Sequence, residues 1–166
     1  RLEKGKRPLY MLEIFKEVHK QRPDVHLYFM GYGPEEQLVK EKIKEYELEE
    51  YVHLLGFIEN PYPVLKQCSV NCLFSASEGF PLALMEGTAL NKPFVSSVVG
   101  GARTLANDQT CGKTVETKEN AVKEIIHYLE TDKKEIKKAC QVSISRFQMQ
   151  AYIEKIEELF DEVLEM

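Results

Sequence analysis

No stretch of this chain approaches the ~18–20 consecutive apolar residues that a membrane-spanning helix needs, and no signal-peptide pattern opens it. It also lacks an internal repeat, a low-complexity tract and a linker-like run. Cys68, Cys72, Cys111 and Cys140 form no C-x-x-C pair and have no histidine at zinc spacing, which leaves them as reduced, structural thiols. His19, His26, His53 and His127 stand apart from any cysteine or carboxylate at catalytic spacing and read as surface or core residues. Positive charge is short as well. Twenty-two Lys+Arg against 27 Asp+Glu give a net charge of −5, which argues against a non-specific nucleic-acid binder.

What remains is 166 residues, 43% hydrophobic and 30% charged, enough for one domain with a substantial core. The chain opens with Arg1 instead of Met and reads as the continuation of something upstream. Its charge is uneven. Arg1, Lys4, Lys6 and Arg7 stand against Glu3 alone at the start, on an otherwise acidic background. The acidic run Glu154, Glu157, Glu158, Asp161, Glu162 and Glu165 reads as a solvated helix face.

Leu9, Leu12, Phe15 and Val18 recur at helical spacing after Pro8, which predicts a helix over Pro8–Gln21 with proline in its first turn. Strands are expected at Val25–Met30, Tyr51–Leu55, Val70–Ser75 and Pro93–Val98, the last ending at a Gly100-Gly101 loop. Helices are expected after Gly31-Tyr32-Gly33-Pro34, with Leu38, Ile43 and Leu48 inward, near Tyr62–Gln67 and at Leu82–Leu90. Three more helical patterns run near Lys118–Glu130, Asp132–Ser143 and Gln148–Leu164. Strands alternating with helices predict parallel pairing, and continuous apolar runs predict a sheet covered on both faces. The expected fold is α/β, a doubly wound parallel sheet of Rossmann-like architecture, whose ligands bind at the carboxyl ends of the strands.

Two loops at such ends could carry chemistry. Gly31-Tyr32-Gly33 resembles a truncated dinucleotide fingerprint, but Glu36 stands where the third glycine belongs and Pro34 removes a backbone donor. A turn that lets a ligand approach the backbone fits better. The second is Ser75–Glu86, where Glu78 lies in a strand-to-helix loop and Glu86 two turns into the helix, among apolar and small residues. A carboxylate at Glu86 is costly to bury unless it pairs or meets a ligand hydroxyl. The plainer alternative makes Glu78 a helix-start acid and turns Glu86 to solvent. Pro81 in the first turn would leave the following amides directed outward, a site suited to phosphate.

Glu78-Gly-Phe-Pro-Leu-Ala-Leu-Met-Glu86 resembles the E-x7-E signature of the retaining GT-B glycosyltransferases of family four, "group 1". Arg1-Leu2-Glu3-Lys4-Gly5-Lys6-Arg7-Pro8-Leu9 is similar to that family's R-x4-K-N-P-L opening, with Arg7 where Asn is common. Gly31-Tyr32-Gly33-Pro34, Leu55-Gly56-Phe57, Val99-Gly100-Gly101 and the stretch from Phe147 through Glu162 extend the resemblance along almost the whole chain. Many relatives carry an acidic residue near the position of Thr104, and this chain departs from them there.

The resemblance implies that residues 1–166 are the C-terminal, donor-binding domain of a two-domain enzyme, with closing helices from about 118 and an N-terminal acceptor domain absent from this chain. It implies transfer of a sugar from a UDP-sugar or GDP-sugar, without metal or other cofactor, in the biosynthesis of cell-surface polysaccharide or glycoconjugate. Carried onto this sequence, Arg1 and Lys6 contact the diphosphate, and Glu78 faces the transferred sugar beside the amides of Gly79, Phe80, Pro81 and Leu82. Glu86 accepts from the ribose, the loop at Phe57 and Ile58 holds the base through backbone groups, and Gly31 and Gly33 leave room near the phosphates. The implied protein is cytoplasmic, with no nucleic-acid partner, and meets the inner face of a membrane only through the missing domain. The fragment alone would bind donor and turn over nothing. Two other readings stand beside this one: a non-catalytic GT-B-like module for binding or assembly, and another GT-B-like enzyme such as an epimerase or phosphorylase.

Overall fold

The computed structural model describes residues 1–106 and 111–147. After a 3-10 turn at Lys4–Lys6 come α1 (Pro8–Gln21), β1 (Leu27–Phe29), α2 (Glu36–Glu45), β2 (Val52–Leu54), α3 (Tyr62–Leu65), β3 (Asn71–Leu73) and α4 (Leu82–Ala89). Then follow β4 (Phe94–Ser97), α5 (Gly100–Leu105), β5 (Gly112–Val115), α6 (Lys118–Glu130) and α7 (Lys133–Ser145). The helical pattern at Gln148–Leu164 lies outside the described residues.

All strand pairs are parallel, and their hydrogen bonds form two ladders, β1-β2 and β3-β4-β5. Helices pack on both faces of β4, because successive strand residues point opposite ways. On β4, Val95 joins a core with Leu12, Phe15, Val18, Val39 and Ile125, while its neighbour Phe94 joins Leu84, Ala102, Leu105, Ile136 and Cys140. The first cluster is built on α1, α2 and α6, the second on α4, α5 and α7. The doubly wound α/β class therefore stands.

Several local expectations change. Among the described residues no helix covers the outer face of β1-β2: Tyr28 is 44% exposed, and His26 Nδ1 lies 3.0 Å from His53 Nε2 beside it. These two histidines are thus a pair and not isolated. Leu38 is exposed, and Val39 takes the inward position on α2. Gly100-Gly101 opens α5 instead of forming a loop. Strand β5 has no counterpart among the expected elements.

Capping follows the local chemistry. Thr117 accepts from the Asn120 amide at the start of α6, and Asp132 accepts from the Lys134 and Glu135 amides at the start of α7. Arg7, the residue before α1, is left-handed at φ 48°. A side chain with a Cβ pays for that conformation, which Asn tolerates better. Cys68 and Cys72 are free thiols, and burial pushes the Cys72 thiol up to about 12. Both Cys111 and Cys140 lie in the second core.

Candidate functional site

The first six residues lie across the ends of two strands. Leu2 is buried and exchanges main-chain hydrogen bonds with the loop after β1: its amide donates to Tyr32 and its carbonyl accepts from Glu35, both at 3.0 Å. Gly33 allows this contact, since a Cβ there would overlap the Leu2 carbonyl. Gly31, at φ 118°, packs against the Arg1 backbone and donates to Gly56 at 2.7 Å, tying the loops after β1 and β2 together. The Gly5 carbonyl accepts from the Ala76 amide at 2.8 Å, which seats the 3-10 turn on the loop after β3.

That seating brings Lys6 to Glu78. The Lys6 ammonium lies 2.5 Å from Glu78 Oε1, across 72 residues of sequence, with the two side chains 27% and 15% exposed. Ser75 Oγ donates to the same oxygen at 2.6 Å. Ser75 itself is 1% exposed, and its carbonyl accepts from Ser97 Oγ at 2.6 Å. Burial opposes ionisation of Glu78, but the hydrogen bonds from Lys6 and Ser75 and the charges of Lys6 and Arg1 outweigh it. Its carboxyl therefore titrates below the usual carboxylate value.

Arg1 sits at the same end, but its guanidinium is 72% exposed and its ion-pair partner is Glu3 at 3.4 Å. The loop Glu78–Pro81 leads into α4 with Pro81 as the residue before the helix and not within its first turn. The Leu82 amide is also not free, since it donates to the Phe80 carbonyl. Among the described residues no group accepts from the amides of Gly79, Phe80 or Ala83. The Gly79 carbonyl accepts from Gly101 at the start of α5, where a Cβ would strike the Phe80 backbone. The ring of Phe80 rests against Phe147, centroids 5.5 Å apart.

Glu86 lies half-buried on α4, with the Tyr62 hydroxyl 3.5 Å from its Oε1. Phe57 is 75% exposed and meets Tyr32 edge-on, and Ile58 beside it is half-buried. Lys6, Glu78, Gly31 and Gly33 are thus joined through residues 1–6, while Glu86 is approached from α3. Sequence reasoning missed the roles of Ser75 and Tyr62. Ser75 carries a readable signal, a hydroxyl closing the apolar run Cys72-Leu73-Phe74 just ahead of Glu78. A groove of about 610 Å³ lies elsewhere, between α5, β5 and α6, lined by Arg103, Lys113, Glu116 and Glu124 among others. None of the sequence-predicted site residues lines it.

The arrangement offers a cation, two carboxylates and open amides where parallel strands end. Its fold is that of the GT-B glycosyltransferases. The pneumococcal O-GlcNAc transferase GtfA, crystallised with UDP and GlcNAc, matches 99% of this chain and 34% of its own, with TM-score 0.83 and 26% identity. Staphylococcus aureus TarM shares the fold at TM-score 0.85 and 22% identity, over 96% of this chain and 33% of its own. The chain belongs to the family described as glycosyl transferases group 1, which matches residues 1–146.

Among its relatives is a Campylobacter jejuni enzyme, N-acetylgalactosamine-N,N'-diacetylbacillosaminyl-diphospho-undecaprenol 4-alpha-N-acetylgalactosaminyltransferase. The two are 34% identical over 117 residues, 70% of this chain and 31% of that protein. The Bacillus subtilis poly(glycerol-phosphate) alpha-glucosyltransferase is 29% identical over 117 residues, 70% of this chain and 17% of the relative. The chain thus spans about a third or less of the length of these relatives.

Proposed function

We propose that this chain is the donor-binding, C-terminal domain of a retaining glycosyltransferase that moves a sugar from a nucleoside diphosphate to an acceptor. The observation that carries the reading is the Lys6–Glu78 pair, held by main-chain bonds between residues 1–6 and the loops after β1 and β3. It sets a cation and a sugar-reading carboxylate side by side at the carboxyl ends of parallel strands, the usual ligand end of such sheets.

The division of labour follows from charge. As the glycosidic bond to the diphosphate lengthens, negative charge gathers on the departing phosphate oxygens. Lys6 and Arg1 supply positive charge there, and the amides of Gly79, Phe80 and Ala83 supply dipoles, so the charge is stabilised without a metal. Glu78, with its lowered pKa, is ionised at neutral pH and acts as a hydrogen-bond acceptor for the sugar hydroxyls. It is not assigned as a nucleophile. Glu86 accepts from the ribose hydroxyls. Backbone groups at Phe57 and Ile58 hold the uracil or guanine base of a UDP or GDP donor, whereas Gly31 and Gly33, whose Cβ directions are filled by the Arg1 and Leu2 backbone, seat residues 1–2 and do not make room for the phosphates.

The acceptor is bound by an N-terminal α/β domain of the same polypeptide, through which any membrane contact is made. The names of the Campylobacter and Bacillus relatives support a role in cell-surface polysaccharide or glycoconjugate biosynthesis. The chain alone binds donor without turnover. Calorimetric titration with UDP, GDP and their sugars tests the reading. Binding of one series, weakened by Lys6→Ala, supports it, and absence of any binding at millimolar ligand overturns it.

A further inference from the structure

Glu78 is held asymmetrically. Both of its protein donors, Lys6 Nζ and Ser75 Oγ, meet Oε1, at 2.5 and 2.6 Å. Among the described residues nothing donates to Oε2, and Oε2 is not among the buried side-chain atoms left unpaired. One oxygen is therefore held by two protein donors, and the other reaches solvent. The two inward donors are not equivalent. Lys6 is a flexible ammonium with three N–H groups, 27% exposed, and is attracted to any nearby phosphate. Ser75 is a neutral hydroxyl, 1% exposed, at the end of β3, and its backbone is fixed by Ser97 from β4.

We propose that Ser75 is a positioning residue for donor discrimination: it keeps Glu78 Oε1 anchored when Lys6 is drawn to the diphosphate, so that Oε2 stays aimed at a sugar hydroxyl. The proposal rests on the donor-site reading above and names a residue that reading does not use. Without Ser75, a diphosphate that recruits Lys6 leaves Glu78 with no inward donor, and the carboxylate turns away from the sugar. Binding of the bare nucleoside diphosphate does not need Glu78 and is left alone. The sugar's added affinity is what Ser75 protects.

The test uses the chain with UDP, GDP, UDP-glucose, UDP-N-acetylglucosamine and GDP-mannose. For the nucleotide that binds, the ratio of nucleotide to nucleotide-sugar dissociation constants is measured in wild type, Ser75→Ala, Glu78→Gln and the double variant. A hydrogen bond to a charged group predicts that Ser75→Ala lowers this ratio about tenfold while the bare nucleotide's affinity stays within about twofold. In the Glu78→Gln background the same substitution changes the ratio little, because Ser75 acts through that carboxylate. Ser75→Thr, which keeps the hydroxyl, restores the ratio, and it also covers the case in which Ser75→Ala fails to fold. A ratio unchanged in Ser75→Ala, or reduced equally with and without Glu78, overturns the role of Ser75 and leaves the donor site intact. Failure of the wild type to bind any of the five overturns the donor-site reading, and this inference with it.

Discussion

Lys6 and Glu78, 72 residues apart, share an ion pair at 2.5 Å that neither residue's own element would produce alone. Lys6 reaches it because the 3-10 turn is hydrogen-bonded to Ala76 through Gly5, and Glu78 because Ser75 holds its Oε1. The pair couples the basic start of the chain to the loop that opens α4.

That coupling makes stability depend on pH. Glu78 titrates lower in the folded chain than its ordinary value of 4.5, so between the two values the unfolded chain binds the extra proton. Its contribution is complete above the ordinary value and is lost as pH falls through the folded one. Melting temperatures of wild type and Glu78→Gln, followed from neutral pH downward, should differ most near neutrality and converge in acid. A gap that widens in acid would contradict the assignment.

Gly33 and Gly79 separate folding from binding. A Cβ on Gly33 would overlap the Leu2 backbone, so Gly33→Ala should destabilise by about 3 kcal/mol in denaturant unfolding. Among the described residues nothing lies within 4 Å of a Cβ on Gly79, and Gly79→Ala should stay within about 0.5 kcal/mol of wild type. The same Gly79 variant should still weaken nucleotide-sugar binding, because its new methyl group enters the space given to the donor.

Arg7 is a correctable local cost. Its left-handed φ of 48° suits asparagine better than arginine, and Arg7→Asn should stabilise the chain by about 0.5–1 kcal/mol. Because Arg7 is exposed and outside the proposed donor contacts, nucleotide affinity should not change. Paired denaturation and titration read both quantities.

Glu86 should read the ribose. The expected outcome of Glu86→Ala is loss of preference for a ribose over a 2'-deoxyribose diphosphate, about tenfold in affinity for a charged acceptor. A variant that still distinguishes the two sugars removes Glu86 from that role.

How far the sequence foretold this arrangement varies with the kind of signal. Helix α1 is found over the predicted residues, Pro8–Gln21, because its apolar period and its proline agree. The strands fall where apolar runs placed them but are shorter, β1 being Leu27–Phe29 within Val25–Met30. Strand β5 was invisible because Gly-Lys-Thr-Val carries little apolar pattern; Gly112 belongs there because a Cβ would strike the Phe94 ring. Helix α5 was hidden by its two glycines, which read as a loop yet serve a close approach to Gly79 and Phe80. At the site, spacing singled out Glu78 and Glu86. It could not show which oxygen of Glu78 is held, since Ser75, Lys6 and Ser97 converge only through tertiary packing.

The central claim is that a nucleotide sugar binds where residues 1–6 cross the loops after β1 and β3. Amide-resolved NMR of the chain, titrated with the UDP or GDP sugar, tests it most directly. The account predicts that the amides of Gly31, Gly33, Phe57, Gly79, Phe80 and Ala83 shift together, while those around Glu116 and Asn120 stay still. Shifts confined to the groove between α5, β5 and α6, or none at saturating ligand, would contradict it.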